Sequence, residues 1–226
     1  MENFYGPELA RIHSEGFTQR LVAAYPWLLT QIRTTASAPG LWDVGCGDGS
    51  WLAHARDAGV RCSGTDRSSA FVTLCRQKGL SVACDEARTA EIPANTSAVT
   101  ALGEVLCYEP AAFDVFVERL STTLPPGSGL WFDLIGTQVT PSRGRFSQND
   151  WHIESVVEIS GDTLRRQITI ETARGYQREI HHQKLFNADD VIQKLQDLGF
   201  TAHLLNAYGD VPLLPGRFAI EARRPG

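Results

Sequence analysis

The sequence predicts an α/β protein: a doubly wound, mostly parallel sheet with helices on both faces, a helical cap ahead of it and an antiparallel β insertion within it. Three observations predict this fold. From Gly40 to Ile135, short apolar runs alternate with amphipathic helical stretches, a pattern that packs as parallel strands covered by helices. A glycine-rich turn separates the first of those runs from the first helix. Beyond Ile135 the pattern changes to extended stretches rich in β-branched and aromatic residues, joined by short turns, as in an antiparallel meander.

Taken in order, residues 8–34 carry apolar side chains at helical spacing (Leu9, Ile12, Phe17, Leu21, Leu28, Ile32), and Pro26 interrupts them, which predicts two helices. Strands follow at 41–44, 60–65, 80–83, 98–102 and 130–135, with helices at 50–58, 68–78 and 111–124 between them. Gly59, Gly79 and Gly199 each stand just past a helical stretch, where a residue with positive φ commonly ends the helix. The meander comprises 151–159, 163–171 and 175–186, with turns at Ser160-Gly161-Asp162 and Ala173-Arg174. Asn187 is the expected N-cap of a helix bearing Val191, Ile192, Leu195 and Leu198 on one face, and strands near 201–207 and 217–222 complete the chain. The whole is read as one domain, 1–226, with 1–38 as the cap and 145–186 as the insertion.

Composition narrows the function. With 226 residues, 42% hydrophobic and 21% charged, the chain can fill one α/β core. A net charge of -5 provides no basic stripe for a phosphate backbone, so nucleic acid is not an expected partner. The five cysteines are scattered and include no C-x-x-C pair, which suggests a reducing compartment and neither disulfides nor zinc. No run approaches a membrane span and the N-terminus lacks a signal-peptide pattern, so a cytoplasmic protein is expected. His181 and His182 are adjacent on a strand, point to opposite faces and cannot share a metal ion; none is expected.

The chemistry begins at Leu41-Trp42-Asp43-Val44-Gly45-Cys46-Gly47-Asp48-Gly49-Ser50, a strand ending beside a carboxylate and then three glycines at alternate positions before a helix. Such glycines let the backbone turn tightly and let a ligand lie against main chain. The spacing is G-x-G-x-G, distinct from the G-x-G-x-x-G that seats a dinucleotide pyrophosphate. Asp66 ends the next strand, where a carboxylate can accept hydrogen bonds from ribose hydroxyls.

These residues, with Cys84-Asp85 after the third strand and Ala101-Leu102-Gly103-Glu104-Val105-Leu106-Cys107-Tyr108 after the fourth, resemble the successive motifs of class I S-adenosylmethionine-dependent methyltransferases of the small-molecule branch. The resemblance extends over nearly the whole chain. It departs at Cys107, where that branch often carries Asn before the Tyr. It implies a seven-stranded sheet with the insertion after the fifth strand, and S-adenosylmethionine as cofactor. By that resemblance Asp43, Gly45, Cys46, Gly47 and Gly49 surround the methionine part and Asp66 and Arg67 lie at the ribose. Asp85 and Glu86 would lie by the adenine, and Gly103 and Glu104 at the methyl donor.

Displacement at a sulfonium methyl needs a lone pair held in line with the C–S bond in a water-poor site. An amine must arrive unprotonated, and a hydroxyl needs a base. His181, His13 and Tyr108 are the candidate catalytic residues, His181 being the choice for a base. Tyr5, Phe17, Trp151, Arg178 and Glu179 are candidates to line the acceptor pocket, because the cap and insertion are the sizeable segments outside the alternating pattern. Plainer readings stand beside these: Trp151 as core, and Arg178 with Glu179 as a cross-strand surface pair; Arg165 and Arg166 with Arg143 and Arg145 could bind an anionic substrate, a charged strand edge being their plainer reading. The expected function is methyl transfer to N or O of a small molecule, with a homodimer left open. A catalytically inactive scaffold on the same fold is one alternative; a nicotinamide-dependent oxidoreductase, opposed by the glycine spacing, is the other.

Overall fold

The computed structural model describes residues 4–108 and 112–226. The cap comes first, as helices α1 (Pro7–Gly16), α2 (Gln19–Val22) and α3 (Tyr25–Ile32). The alternating part follows as β1 (Gly40–Val44), α4 (Ser50–Asp57), β2 (Arg61–Asp66), α5 (Ser69–Gln77), β3 (Val82–Cys84) and β4 (Ala98–Ala101). A 3-10 turn at Val105–Cys107 leads to α6 (Ala112–Thr123) and β5 (Gly129–Ile135). The insertion is β6 (Ser142–Gln148), β7 (Trp151–Ser160), β8 (Thr163–Thr172) and β9 (Gly175–Lys184). The chain ends with α7 (Ala188–Asp197), β10 (Thr201–Leu205), the short pair β11 (Ala207–Tyr208) and β12 (Val211–Pro212), and β13 (Arg217–Arg223).

Strand order is β10-β13-β5-β4-β1-β2-β3, parallel except for β13, which runs antiparallel to both neighbours. All five residues of β1 are buried, as a strand covered on both faces requires. Leu41 packs with α3 and α4 residues Leu28, Ile32 and Leu52 on one face. Trp42 packs with Phe116, Val117 and Leu120 of α6 on the other. The chain steps from β1 outward to β3, then returns to lay β4 on the far side of β1. That reversal opens a crevice at the carboxyl ends of β1 and β4, where open α/β sheets take ligands.

Three expectations are corrected. Pro26 does not break a helix but sits in the first turn of α3, where its missing N–H costs nothing; the cap is three helices, interrupted after Gly16 and after Val22. The insertion is a four-stranded sheet in order β6-β7-β8-β9 and spans 142–184, against the expected 145–186. Ser142–Gln148 escaped prediction because nearly every residue in it is exposed, so no alternation marks it. Since β8 lies between β7 and β9, Arg165 and Arg166 do not form a strand edge. Ala111, expected to open the helix before β5, lies outside the described residues. Gly59, Gly79 and Gly199 all take positive φ, and Asn187 caps α7 by accepting from Asp189 and Asp190 N–H.

Candidate functional site

A cavity of about 670 Å³ lies over the carboxyl ends of β1, β2 and β4, between the cap and the inner face of the insertion. Its floor is the glycine turn. Gly47 (φ +54) lines the cavity, and a Cβ there would meet nothing within 4 Å, so the backbone itself forms the surface. Gly49 (φ +76), expected beside it, faces the core: a Cβ would lie 2.4 Å from Leu80 Cδ1 and 2.8 Å from Cys75 Sγ. Gly49 therefore shapes the turn without lining the cavity. Gly45, Cys46 and Asp43 do line it.

Three buried carboxylates ring this floor. Asp43 Oδ1 accepts from Thr100 Oγ1 at 2.6 Å, which in turn accepts from Trp51 Nε1 at 3.2 Å; burial pushes the Asp43 carboxyl up to about 7. Asp66 accepts from Gly47 N–H at 2.9 Å and Ser68 N–H at 2.8 Å, one on each oxygen, and burial raises it to about 6 against those two bonds. Each Asp66 oxygen keeps a further acceptor site. Asp133, at the end of β5, accepts from Gly103 N–H at 2.7 Å, Glu104 N–H at 2.9 Å and Tyr208 hydroxyl at 3.2 Å, and burial raises it to about 6. Arg67, Asp85 and Glu86 continue the lining beyond Asp66. Asp85 Oδ1 accepts from Glu86 N–H and from Thr89 Oγ1, both at 2.8 Å.

Asp133 holds the turn after β4 in a conformation in which Gly103 and Glu104 both have positive φ, +86 and +66. Glu104 is thereby turned into a buried cage: Oε1 accepts from Arg217 Nε at 2.6 Å, and Oε2 from Arg166 Nη2 at 3.1 Å and Gln183 Nε2 at 3.0 Å. Burial pushes its carboxyl up, but the Arg166 and Arg217 charges outweigh that and hold it below the usual range. Glu104 is consequently no proton acceptor near neutral pH.

Above the floor, the cap and insertion contribute Tyr5, His13 and Phe17 to the lining, with Phe146, Ile153 and Ile168 opposite. Burial lowers the His13 imidazole to about 4, so the ring is neutral at physiological pH, and its Nδ1 is buried without a partner. Tyr5 and Tyr108 hydroxyls lie 3.1 Å apart, and burial raises both phenols, which keeps them protonated.

Other expected residues lie elsewhere. Trp151 is 2% exposed in a cluster with Leu9, Ile12 and Ile170, its Nε1 donating to Glu15, and it does not line the cavity because α1 covers it. Arg178 is exposed on the outer face of β9 and also stays outside the lining. Its neighbour Glu179 is buried, so the two are not a surface pair. His181 is 2% exposed and does not line the cavity; its ring packs behind Tyr5 and Tyr108 at centroid distances of 5.0 and 5.7 Å. Its Nε2 donates to Glu179 at 2.9 Å, and its Nδ1 is buried without a partner, away from the cavity lining. Cys107, the departure from the motif, is fully buried, and Ile135 N–H points to its sulfur at 3.3 Å.

Asp133, Gln183, Arg217 and Tyr208 were not anticipated, and Arg166 was weighed without its Glu104 partner. Parity held a signal for two of them: Arg166 alternates in step with the buried Leu164, Ile168 and Ile170, and Gln183 with the buried Glu179 and His181. Arg143 and Arg145 share Glu154, and Arg165 pairs with Glu158. Among the described residues, no helix is long and apolar enough to cross a membrane, and no group of three His, Cys, Asp or Glu could hold a metal ion.

The strand order, the antiparallel seventh strand and the glycine floor define the class I methyltransferase fold. A family model described as methionine biosynthesis protein MetW matches residues 29–93, the stretch from α3 past β3. Among curated proteins, no sequence matches the chain. Solved structures align along its whole length at low identity. The CcbJ methyltransferase from Streptomyces caelestis is 12% identical, covers 100% of each chain and has a TM-score of 0.82. The sugar N-methyltransferase KedS8 from Streptoalloteichus sp ATCC 53650 is 20% identical, covering 100% of this chain and 94% of that one, with a TM-score of 0.75. CalS10, an amino pentose methyltransferase from Micromonospora echinaspora, is 19% identical, covers 99% of each and has a TM-score of 0.75.

Proposed function

We propose that this chain is an S-adenosylmethionine-dependent methyltransferase that methylates N or O of a small molecule by in-line displacement. The observation that carries the reading is the continuous cavity. One wall is the open backbone at Gly47 with the acceptor-bearing Asp66; the facing wall is aromatic and apolar, and comes from the cap and insertion. The residues fit the cofactor: Gly47 leaves room against its main chain, Asp66 has acceptor sites for two ribose hydroxyls, and buried carboxylates surround the place a cationic sulfonium would take. When bound, S-adenosylmethionine supplies an electrophilic methyl group.

The chain's own residues then bind, orient and exclude water. Tyr5, Phe17, Phe146 and Ile168 remove solvent from the acceptor. The Tyr5 and Tyr108 hydroxyls and the neutral His13 imidazole supply hydrogen bonds that can aim a lone pair. None of them is a strong base, and His181 does not line the cavity. Burial in such a site disfavours an ammonium ion, so an amine enters neutral and needs no base, whereas a hydroxyl would. These features favour nitrogen over oxygen. The similarity to a sugar N-methyltransferase and an amino pentose methyltransferase points the same way.

Equilibrium titration with S-adenosylhomocysteine and with NADH is the direct test. One-to-one binding of the first, no binding of the second, and labelled methyl transfer to small amines in preference to alcohols are expected. Failure to bind S-adenosylhomocysteine would overturn the proposal.

A further inference from the structure

Tyr5 is held in a way its own sequence neighbourhood does not explain. It is a non-glycine residue at φ +45, a conformation that costs energy and persists only where the surroundings over-determine it. Both its backbone groups are clamped from distant parts of the chain, one from β9 and one from the N-cap of α5. Its N–H donates to Glu179 Oε2 at 2.7 Å, and its carbonyl accepts from Ser68 Oγ at 2.7 Å. The next N–H, of Gly6, donates to Glu179 Oε1 at 2.8 Å. Gly6 is the N-cap of α1 and has no side chain to cap it, so the carboxylate from β9 brings its negative charge to that helix start. His181 completes the group: its Nε2 donates to Glu179 Oε2 while its ring lies 5.0 Å from that of Tyr5.

We propose that Glu179 and His181 are positioning residues, which together seat the strained Tyr5 backbone so that its hydroxyl stands beside that of Tyr108 in the cavity wall. Apolar packing of Leu9 and Ile12 on Trp151, Ile153, Ile168 and Ile170 docks α1 on the insertion. That packing leaves the backbone polar groups ahead of Pro7 to other partners: the Tyr5 and Gly6 N–H groups to the Glu179 carboxylate, and the Tyr5 carbonyl to Ser68 Oγ. Cap and insertion are thus joined where they close the site. The functional consequence rests on the methyltransferase reading, but the seating does not.

Hydrogen exchange on the full chain, read on N-terminal peptides, tests the seating without any ligand. Glu179→Gln keeps one acceptor oxygen but turns an NH2 group toward the other N–H. Exchange at Tyr5 and Gly6 should accelerate about tenfold or more, the equivalent of a lost bond to a charged group, with β1, β4 and β7–β9 amides unchanged. Unchanged exchange at Tyr5 and Gly6 would overturn the proposal. So would equal acceleration throughout β7–β9, which would make Glu179 a packing residue of the insertion. The coupling is read by S-adenosylhomocysteine affinity. Tyr5→Ala and Glu179→Gln should each weaken it, and the double variant should be no weaker than Tyr5→Ala alone; additive losses would contradict action through Tyr5. A wild-type chain that fails to bind S-adenosylhomocysteine sinks the methyltransferase reading, while the exchange result still decides the seating.

Discussion

The floor and the cover of the cavity are built by different means. The floor is local: Gly47, Asp66 and Ser68 lie within 22 residues of each other, and the main chain itself supplies the donors to Asp66. The cover is held by contacts across the whole chain, such as Tyr5 to Glu179 at a separation of 174 residues and Arg166 to Glu104 at 62. A site assembled this way can keep its floor while its cover varies, which is how one fold serves many acceptors.

The sharpest way to separate the two is a pair of identical substitutions in the floor. Gly47→Val should fold, because a side chain there meets open space, yet S-adenosylhomocysteine binding should fall below detection as the valine fills the ligand's place. Gly49→Val should fail differently: the new side chain meets Leu80 and Cys75, and about 1–3 kcal/mol of overpacking adds to a similar backbone strain. Thermal unfolding combined with titration distinguishes them, and a stable Gly49→Val protein would show the turn to be looser than drawn.

Where the sheet meets the cover, at the Glu104 cage, Arg217→Leu should cost about 3–5 kcal/mol of stability, the usual result of removing one partner from a buried ion pair. Glu104 keeps Arg166 and Gln183, which places the expected loss at the lower end of that range. Urea unfolding measures it. A loss under about 1 kcal/mol would assign the cage the weight of a surface pair.

How much of this could be read in advance follows the same division. The alternation from β1 to β5, the glycine floor, Asp66 and the Asn187 cap were legible because short-range rules govern them. The mostly parallel seven-stranded sheet agrees with the motifs that implied it. The cover was legible only as two segments of about the right extent. His181 read as a base and Glu179 as a pocket residue or a surface carboxylate, since nothing near them in sequence shows that Glu179 takes the backbone N–H groups of Tyr5 and Gly6 and that His181 donates to Glu179. Asp133 stood in an otherwise apolar strand, GLWFDLI, and a lone acid there was a signal passed over.

Asp66→Ala returns to the floor with a smaller expected effect. Ribose hydroxyls would lose a charged acceptor, weakening S-adenosylhomocysteine binding by about 1.5–3 kcal/mol with the fold intact. Unchanged affinity by calorimetry would remove Asp66 from the site.

The mildest prediction is a pH dependence in which stability and affinity run in opposite directions. Burial raises Asp66 and Asp133 to about 6 and Asp43 to about 7, from an ordinary value of 3.8. Between pH 4 and 7 the folded, ligand-free chain therefore holds more protons on these groups than the unfolded chain does. Their contribution to stability is full at the acid end and is lost as pH rises through the folded values. Affinity depends on the other protonation state, because only ionised Asp66 offers acceptors on both oxygens to the ribose. Below about pH 6, S-adenosylhomocysteine affinity should fall by up to about tenfold per pH unit, the limit for one proton, and above it the affinity should level off. The increase in melting temperature on adding ligand should accordingly grow from pH 5.5 to 7.5 even as the unliganded protein loses this part of its stability. Asp66→Asn should flatten the affinity profile near pH 6 and leave the Asp43 part of the stability slope in place. A profile that keeps its break at pH 6 in Asp66→Asn would assign the titration to Asp133, and would shift the pH-sensitive part of the site from the ribose position to the turn that carries Glu104.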